Sequence, residues 1–74
     1  MPKKFMAIVA KDKENGNYIG IIPQVPGAHT EGESLEELRK NLQEVLELCL
    51  EDYDKEDIEF IPEIEGSMMI GVNV

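Results

Sequence analysis

The side chains able to do chemistry in this 74-residue chain are mostly carboxylates: sixteen Asp and Glu, against one histidine, His29, and one cysteine, Cys49. Carboxylates from a sheet and a helix that converge on one point can hold two divalent cations and hydrolyse a phosphodiester. Here the two strand-like apolar runs, Phe5-Met6-Ala7-Ile8-Val9-Ala10 and Met68-Met69-Ile70-Gly71-Val72-Asn73, carry no acid in their interiors. Helix acids would then face solvent with nothing opposite them. Asp52, Asp54 and Glu56 with Glu63 loosely echo a calcium loop, but Asp57 stands where the tight turn wants glycine. No Cys/His cluster has zinc spacing. His29 lacks a cysteine or serine at a spacing that makes a nucleophile–base pair. Cys49 falls on an apolar stripe and reads as a small buried hydrophobe; alone, it cannot form an internal disulfide. The sequence predicts no catalytic residue, no cofactor, no metal site and no enzyme.

The elements that would position these residues centre on Pro23-Gln24-Val25-Pro26-Gly27-Ala28-His29-Thr30-Glu31-Gly32-Glu33-Ser34. Two prolines fix φ and remove backbone donors, so no central strand can run through. Gly27 and Gly32 supply permissive backbone for turning in and out of a short edge strand, 28–31. Ser34-Leu35-Glu36-Glu37 reads as a capping box that opens a helix over about 35–52. Leu35, Leu38, Leu42, Val45, Leu46, Cys49 and Tyr53 share one stripe of that helix, and Glu36, Glu37, Lys40, Gln43, Glu44, Glu47 and Glu51 the other side.

Before the proline segment, residues 3–12 read as a strand apolar on both faces: Phe5, Ala7 and Val9 one way, Met6, Ile8 and Ala10 the other. Asn15-Gly16 marks a hairpin, and residues 18–22 are the returning strand. After the helix, residues 54–65 are acidic, contain Pro62 and read as a connector, not a helix; residues 67–74 alternate as a last strand. A strand–helix–strand succession implies a right-handed crossover that lays the last strand parallel to the first. The expected fold is α+β: one β-β-β-α-β domain spanning 1–74, sheet order 3-2-1-4, with one helix on one face.

A domain this small buries only about 60% of its chain's surface, and a face left bare by a single helix calls for a second copy or partner. A homo-oligomer, dimer or higher, is therefore expected. With no apolar run of spanning length and no signal-peptide pattern, the default location is cytoplasmic. Net charge is −9: residues 1–30 hold four Lys and two acids, residues 31–65 fourteen acids against Arg39, Lys40 and Lys55. So acidic a chain repels free nucleic acid and attracts basic protein.

Residues 17–38 resemble the HicB-like antitoxin family, whose pattern is a hairpin strand with Tyr, then Pro-x-hydrophobic-Pro-Gly-Cys-x-Thr-x-Gly-(Asp/Glu)-(Ser/Thr)-x-Glu-Glu-Ala and an amphipathic helix. Pro23, Pro26, Gly27, Thr30, Gly32, Glu33, Ser34, Glu36 and Glu37 match position by position. Ala28 stands where the family commonly has Cys, and Leu38 where it has Ala. The resemblance implies a partial RNase H-like sheet without nuclease residues. It also implies a type II toxin–antitoxin role: binding and neutralising a small basic HicA-type mRNA-cleaving toxin. Many members add a C-terminal DNA-binding domain; this sequence stops at Val74 without one, so direct repression of transcription is not expected. The residues expected to meet the partner are Tyr18, Pro23, Pro26, Gly27, His29, Glu31, Glu33, Glu36, Glu44 and Glu47. The alternative is a stand-alone structural or regulatory oligomeric module of the same fold with no toxin partner.

Overall fold

The computed structural model describes residues 3–73. It holds three short strands and two helices: β1 (Ile8–Lys11), β2 (Tyr18–Ile21), β3 (His29–Gly32), α1 (Leu35–Leu50) and α2 (Lys55–Phe60). The strands form one antiparallel sheet in the order β1-β2-β3, so β3 lies at an edge as expected and β1 at the other. Register pairs Ile8 with Ile21, Val9 with Gly20, Tyr18 with Gly32 and Ile21 with His29. Paired residues share a face, so Val9, Gly20 and Thr30 lie on the face that carries the helix, while Ile8, Ile21 and His29 lie on the opposite face.

The β1–β2 connection spans six residues, 12–17. Asp12 N donates to Asn17 O at 2.8 Å, Gly16 N donates to Asp12 O at 2.9 Å, and Gly16 holds φ of +75°. Asn15-Gly16 thus marks the reversal by giving the loop its left-handed residue. The β2–β3 connection is held by local bonds: Ile22 N donates to Ala28 O at 2.8 Å and Ala28 N to Val25 O at 3.0 Å. Gly27 takes φ of +89° there.

α1 starts at the expected residue. Ser34 is extended at φ −135° and its hydroxyl accepts from Glu37 N at 3.1 Å, with Glu36 and Glu37 in the first turn. The acids complement the positive end of the helix dipole. The stripe buries Leu38 and Leu42, and Leu46, Cys49 and Leu50 pack partly buried on the same core. Leu35, at the first helical position, is 56% exposed and is not a core residue. α1 packs on β3 and β2, and the core also takes in Ile22, Val25, Ala28 and Ile61. Each such burial contributes about 1.5–3 kcal/mol for the larger side chains.

Three expectations are corrected. The connector contains a helix: Asp54 caps α2, accepting from Asp57 N at 2.9 Å while Asp57 reaches back to Asp54 N at 3.4 Å, and Ile61 then plugs the core. The described residues therefore hold two helices where one was expected. The first strand is shorter, since residues 3–7 make no ladder. Residues 67–73 form no fourth strand; they pair with no edge of the sheet and are exposed. Val74, the end of that expected strand, lies outside the described residues. No helix among the described residues is long and apolar enough to cross a membrane.

Candidate functional site

The proline segment is fixed from beneath and from the side. Val25 and Ala28 are each only 1% exposed, so they anchor the segment in the core while Pro23, Pro26 and Gly27 stay outside. Gln24 ties it laterally: its Oε1 accepts from Met6 N at 3.1 Å and its Nε2 donates to Pro62 O at 2.6 Å. One side chain thereby joins the N-terminal segment, the loop and the chain that follows α2. The loop is an exposed rib anchored below and tied at its side.

Two glycines set the next layer. A Cβ on Gly20 would stand 2.7 Å from Leu42 Cδ1, and one on Gly32 would stand 2.7 Å from the Leu38 backbone nitrogen. Neither has positive φ. Gly32 therefore serves close approach of helix to strand, not the turn expected of it. Asn41 adds a polar tie, its Nδ2 donating to Glu31 O at 3.0 Å. With α1 pressed so closely on the edge strand, its far side is turned to solvent. Glu36 and Glu44 line a shallow depression there with Arg39, Lys40 and Gln43. Glu47 continues the row and accepts from Gln43 Nε2 at 2.8 Å.

The ten residues expected to meet a partner do not form one patch. His29 and Glu31 share the sheet face opposite α1, where they border a small cleft with Ile19. Tyr18 lies on the other face, half-buried against the core, with Lys11 Nζ 5.5 Å from its ring centre. Glu36, Glu44 and Glu47 follow the outer side of α1, and Glu33 sits exposed between β3 and the cap. Pro23, Pro26 and Gly27 top the loop at the β2–β3 end. β3 links these groups, since it carries the His29–Glu31 face and lies against α1 on its other side. Tyr18 is the one residue whose ring is committed to packing.

Sequence reasoning missed Gln24, Gly20, Asn41 and Lys3, whose Nζ donates to Ile61 O at 2.7 Å. Only Gly20 left a signal: a glycine inside an apolar strand marks close approach of another element. Among the described residues, no three of His, Cys, Asp and Glu gather closely enough to hold a metal ion. Cys49 is a free, partly buried thiol in the α1 stripe. What the surface offers is charge, a strand edge and an anchored loop.

Comparison with known proteins adds the following. The profile of the family described as UPF0150-like matches residues 6–51, from β1 to the end of α1. A UPF0150 protein of Thermotoga maritima is 58% identical over 50 residues, 68% of this chain and 67% of that one. One from Archaeoglobus fulgidus is 44% identical over 59 residues, covering 78% and 84% of the two chains. A Synechocystis relative, UPF0150 protein ssr1258, is 42% identical over 60 residues, covering 80% and 86%. No solved structure matches the chain.

Proposed function

We propose that this chain, which belongs to the UPF0150-like family, is a HicB-like, antitoxin-type binding module that neutralises a small basic RNA-cleaving protein. The observation carrying the reading is the run of exposed carboxylates along one side of α1 and around the β3 edge: Glu31, Glu33, Glu36, Glu44 and Glu47. Carboxylates so placed can occupy the cationic surface on which a basic nuclease receives RNA phosphates, and attraction between the two faces speeds encounter. The resemblance of residues 17–38 to HicB-like antitoxins supports the same reading. By the same resemblance, the three-stranded sheet would be a reduced form of an RNase H-like one. No bond is made or broken by this chain; inhibition is occlusion.

The test is direct. A small basic protein encoded in the adjacent reading frame is assayed on RNA with and without this chain. Stoichiometric complex formation and loss of cleavage are expected, and this chain alone, with magnesium or manganese, leaves RNA and DNA intact. Unchanged cleavage with no complex would overturn the antitoxin reading and leave a stand-alone oligomeric module. Cleavage by this chain itself would overturn the non-enzymatic part.

A further inference from the structure

β1 presents a free edge, since it pairs with β2 on one side only. Beside that edge lies a groove of about 570 Å3, lined by Phe5, Ala7, Ile22, Leu46 and Leu50 and bordered by charged side chains that include Lys4, Arg39 and Glu47. It exists because α1 lies over β3 and β2 and leaves the β1 side of the same face bare. An unpaired edge above an apolar groove is a seat for an added strand. The same molecule carries a segment of matching character: Met68, Ile70 and Val72 are 88%, 81% and 74% exposed and alternate with Met69, Gly71 and Asn73. Residues 66–74 carry no charge.

We propose that the C-terminal segment of a second copy occupies this groove, adding as a fourth strand to β1 with Met68, Ile70 and Val72 inward, so that two copies exchange tails. This inference is independent of any toxin partner. The register of the chain favours exchange over closure on its own sheet. Ile64 shares a cleft with Phe5 and Met6, which fixes where the tail departs. If Ile64 stood opposite Phe5 in a parallel pair, Ile70 would fall opposite Lys11, the last residue of β1, and Val72 opposite Lys13 in the turn. Met68 and Ile70 would then lie against Val9 and Lys11 of the strand, Val72 would overrun it, and Ala7 of the groove would face only Gly66. A tail from another copy has no such constraint, and can set Met68, Ile70 and Val72 against Ala7, Val9 and Lys11 in one stretch.

Charge points the same way. The residues leading into the tail include Glu59, Glu63 and Glu65, whereas Lys3, Lys4, Lys11 and Lys13 flank or belong to β1 in the chain. A second copy is therefore attracted at this edge, although the two chains repel elsewhere. Two-fold exchange closes the assembly and leaves neither tail bare, an economical route to a dimer.

Three measurements decide it. Sedimentation of the full chain at micromolar concentration should give the mass of two chains, and Met68→Lys with Ile70→Lys should give one chain with unchanged circular dichroism. In a mixed sample, a chain carrying Cys49→Ser and Met69→Cys with a nitroxide at the new thiol should broaden the Val9 and Ala10 amide signals of an isotope-labelled wild-type chain. Broadening in that mixture is intermolecular by construction. A monomeric wild type, a dimer that survives the double lysine variant, or a mixture without broadening would each overturn the proposal. Should the lysine variant lose its helical signal, the mixing experiment alone carries the decision.

Discussion

Gly20 and Gly32 let α1 approach the sheet, but a methyl group at each would meet different atoms. At Gly32 the obstacle is backbone, the Leu38 nitrogen at 2.7 Å, which can move only if the helix moves. At Gly20 it is the Leu42 side-chain terminus, also at 2.7 Å, which can rotate. Gly32→Ala should therefore cost about 1–3 kcal/mol, the usual range for overpacking, and Gly20→Ala less. Thermal melts of the pair check the order, and equal effects would show that the helix relaxes freely. Gly27 is the contrasting case: nothing lies within 4 Å of an added Cβ, but its φ is +89°. Gly27→Val should cost about 1–2 kcal/mol through backbone strain alone. Ser34→Ala removes the acceptor that holds Glu37 N at 3.1 Å and should cost about 1 kcal/mol.

Among the elements, α2 is the instructive one. Its sequence Lys55–Phe60 is too short to show a helical period, and Pro62 two residues beyond it signals a break, so the sequence reads as connector. What makes it a helix is local capping by Asp54 and Asp57 together with burial of Ile61, which is 7% exposed; the second depends on packing that no window of sequence displays. Ile61→Ala should cost about 2–5 kcal/mol, whereas Phe60→Ala, at 84% exposure, should be nearly neutral. Denaturant titration of the two variants separates them. If Phe60 matters as much as Ile61, the exposed ring has a partner in solution. By contrast the hairpin, the edge placement of β3 and the start of α1 were legible, because Asn15-Gly16, Pro23 and Pro26, and Ser34 each impose a backbone state locally. The tail 67–73 shows the limit of pattern reading. Alternation states that a segment can be a strand, but not which edge receives it or on which molecule. Likewise the acids of α1 were legible as solvent-facing, whereas the separation of Tyr18 from His29 and Glu31 depends on register, which pairs Tyr18 with Gly32 and Ile21 with His29.

At the scale of the whole molecule, charge is the dominant feature: −9 over 74 residues, with the acids confined to positions 31–65 apart from Asp12 and Glu14. Such a field acts on encounter more than on the bound state, since screening limits it to about 8 Å at physiological salt. Reversing Glu36, Glu44 and Glu47 to Lys changes the net charge by +6, to −3, without touching the core, because all three are exposed. The fold should survive with a modestly lowered melting temperature, since Glu36 leaves the first turn of α1 and Glu47 loses its bond from Gln43, but exposed charges contribute little each. Under the proposed function, association with a basic partner encoded in the adjacent reading frame should slow by at least about tenfold at low salt, and its dependence on salt should flatten. Stopped-flow association at two ionic strengths reads both effects. The dissociation rate should change less, because the proline loop and the β3 edge still contribute their contacts. A variant that associates as fast as wild type at both salts would reduce the acidic side of α1 to a solubilising surface. Recognition would then have to rest on Pro23, Pro26 and the His29–Glu31 face alone.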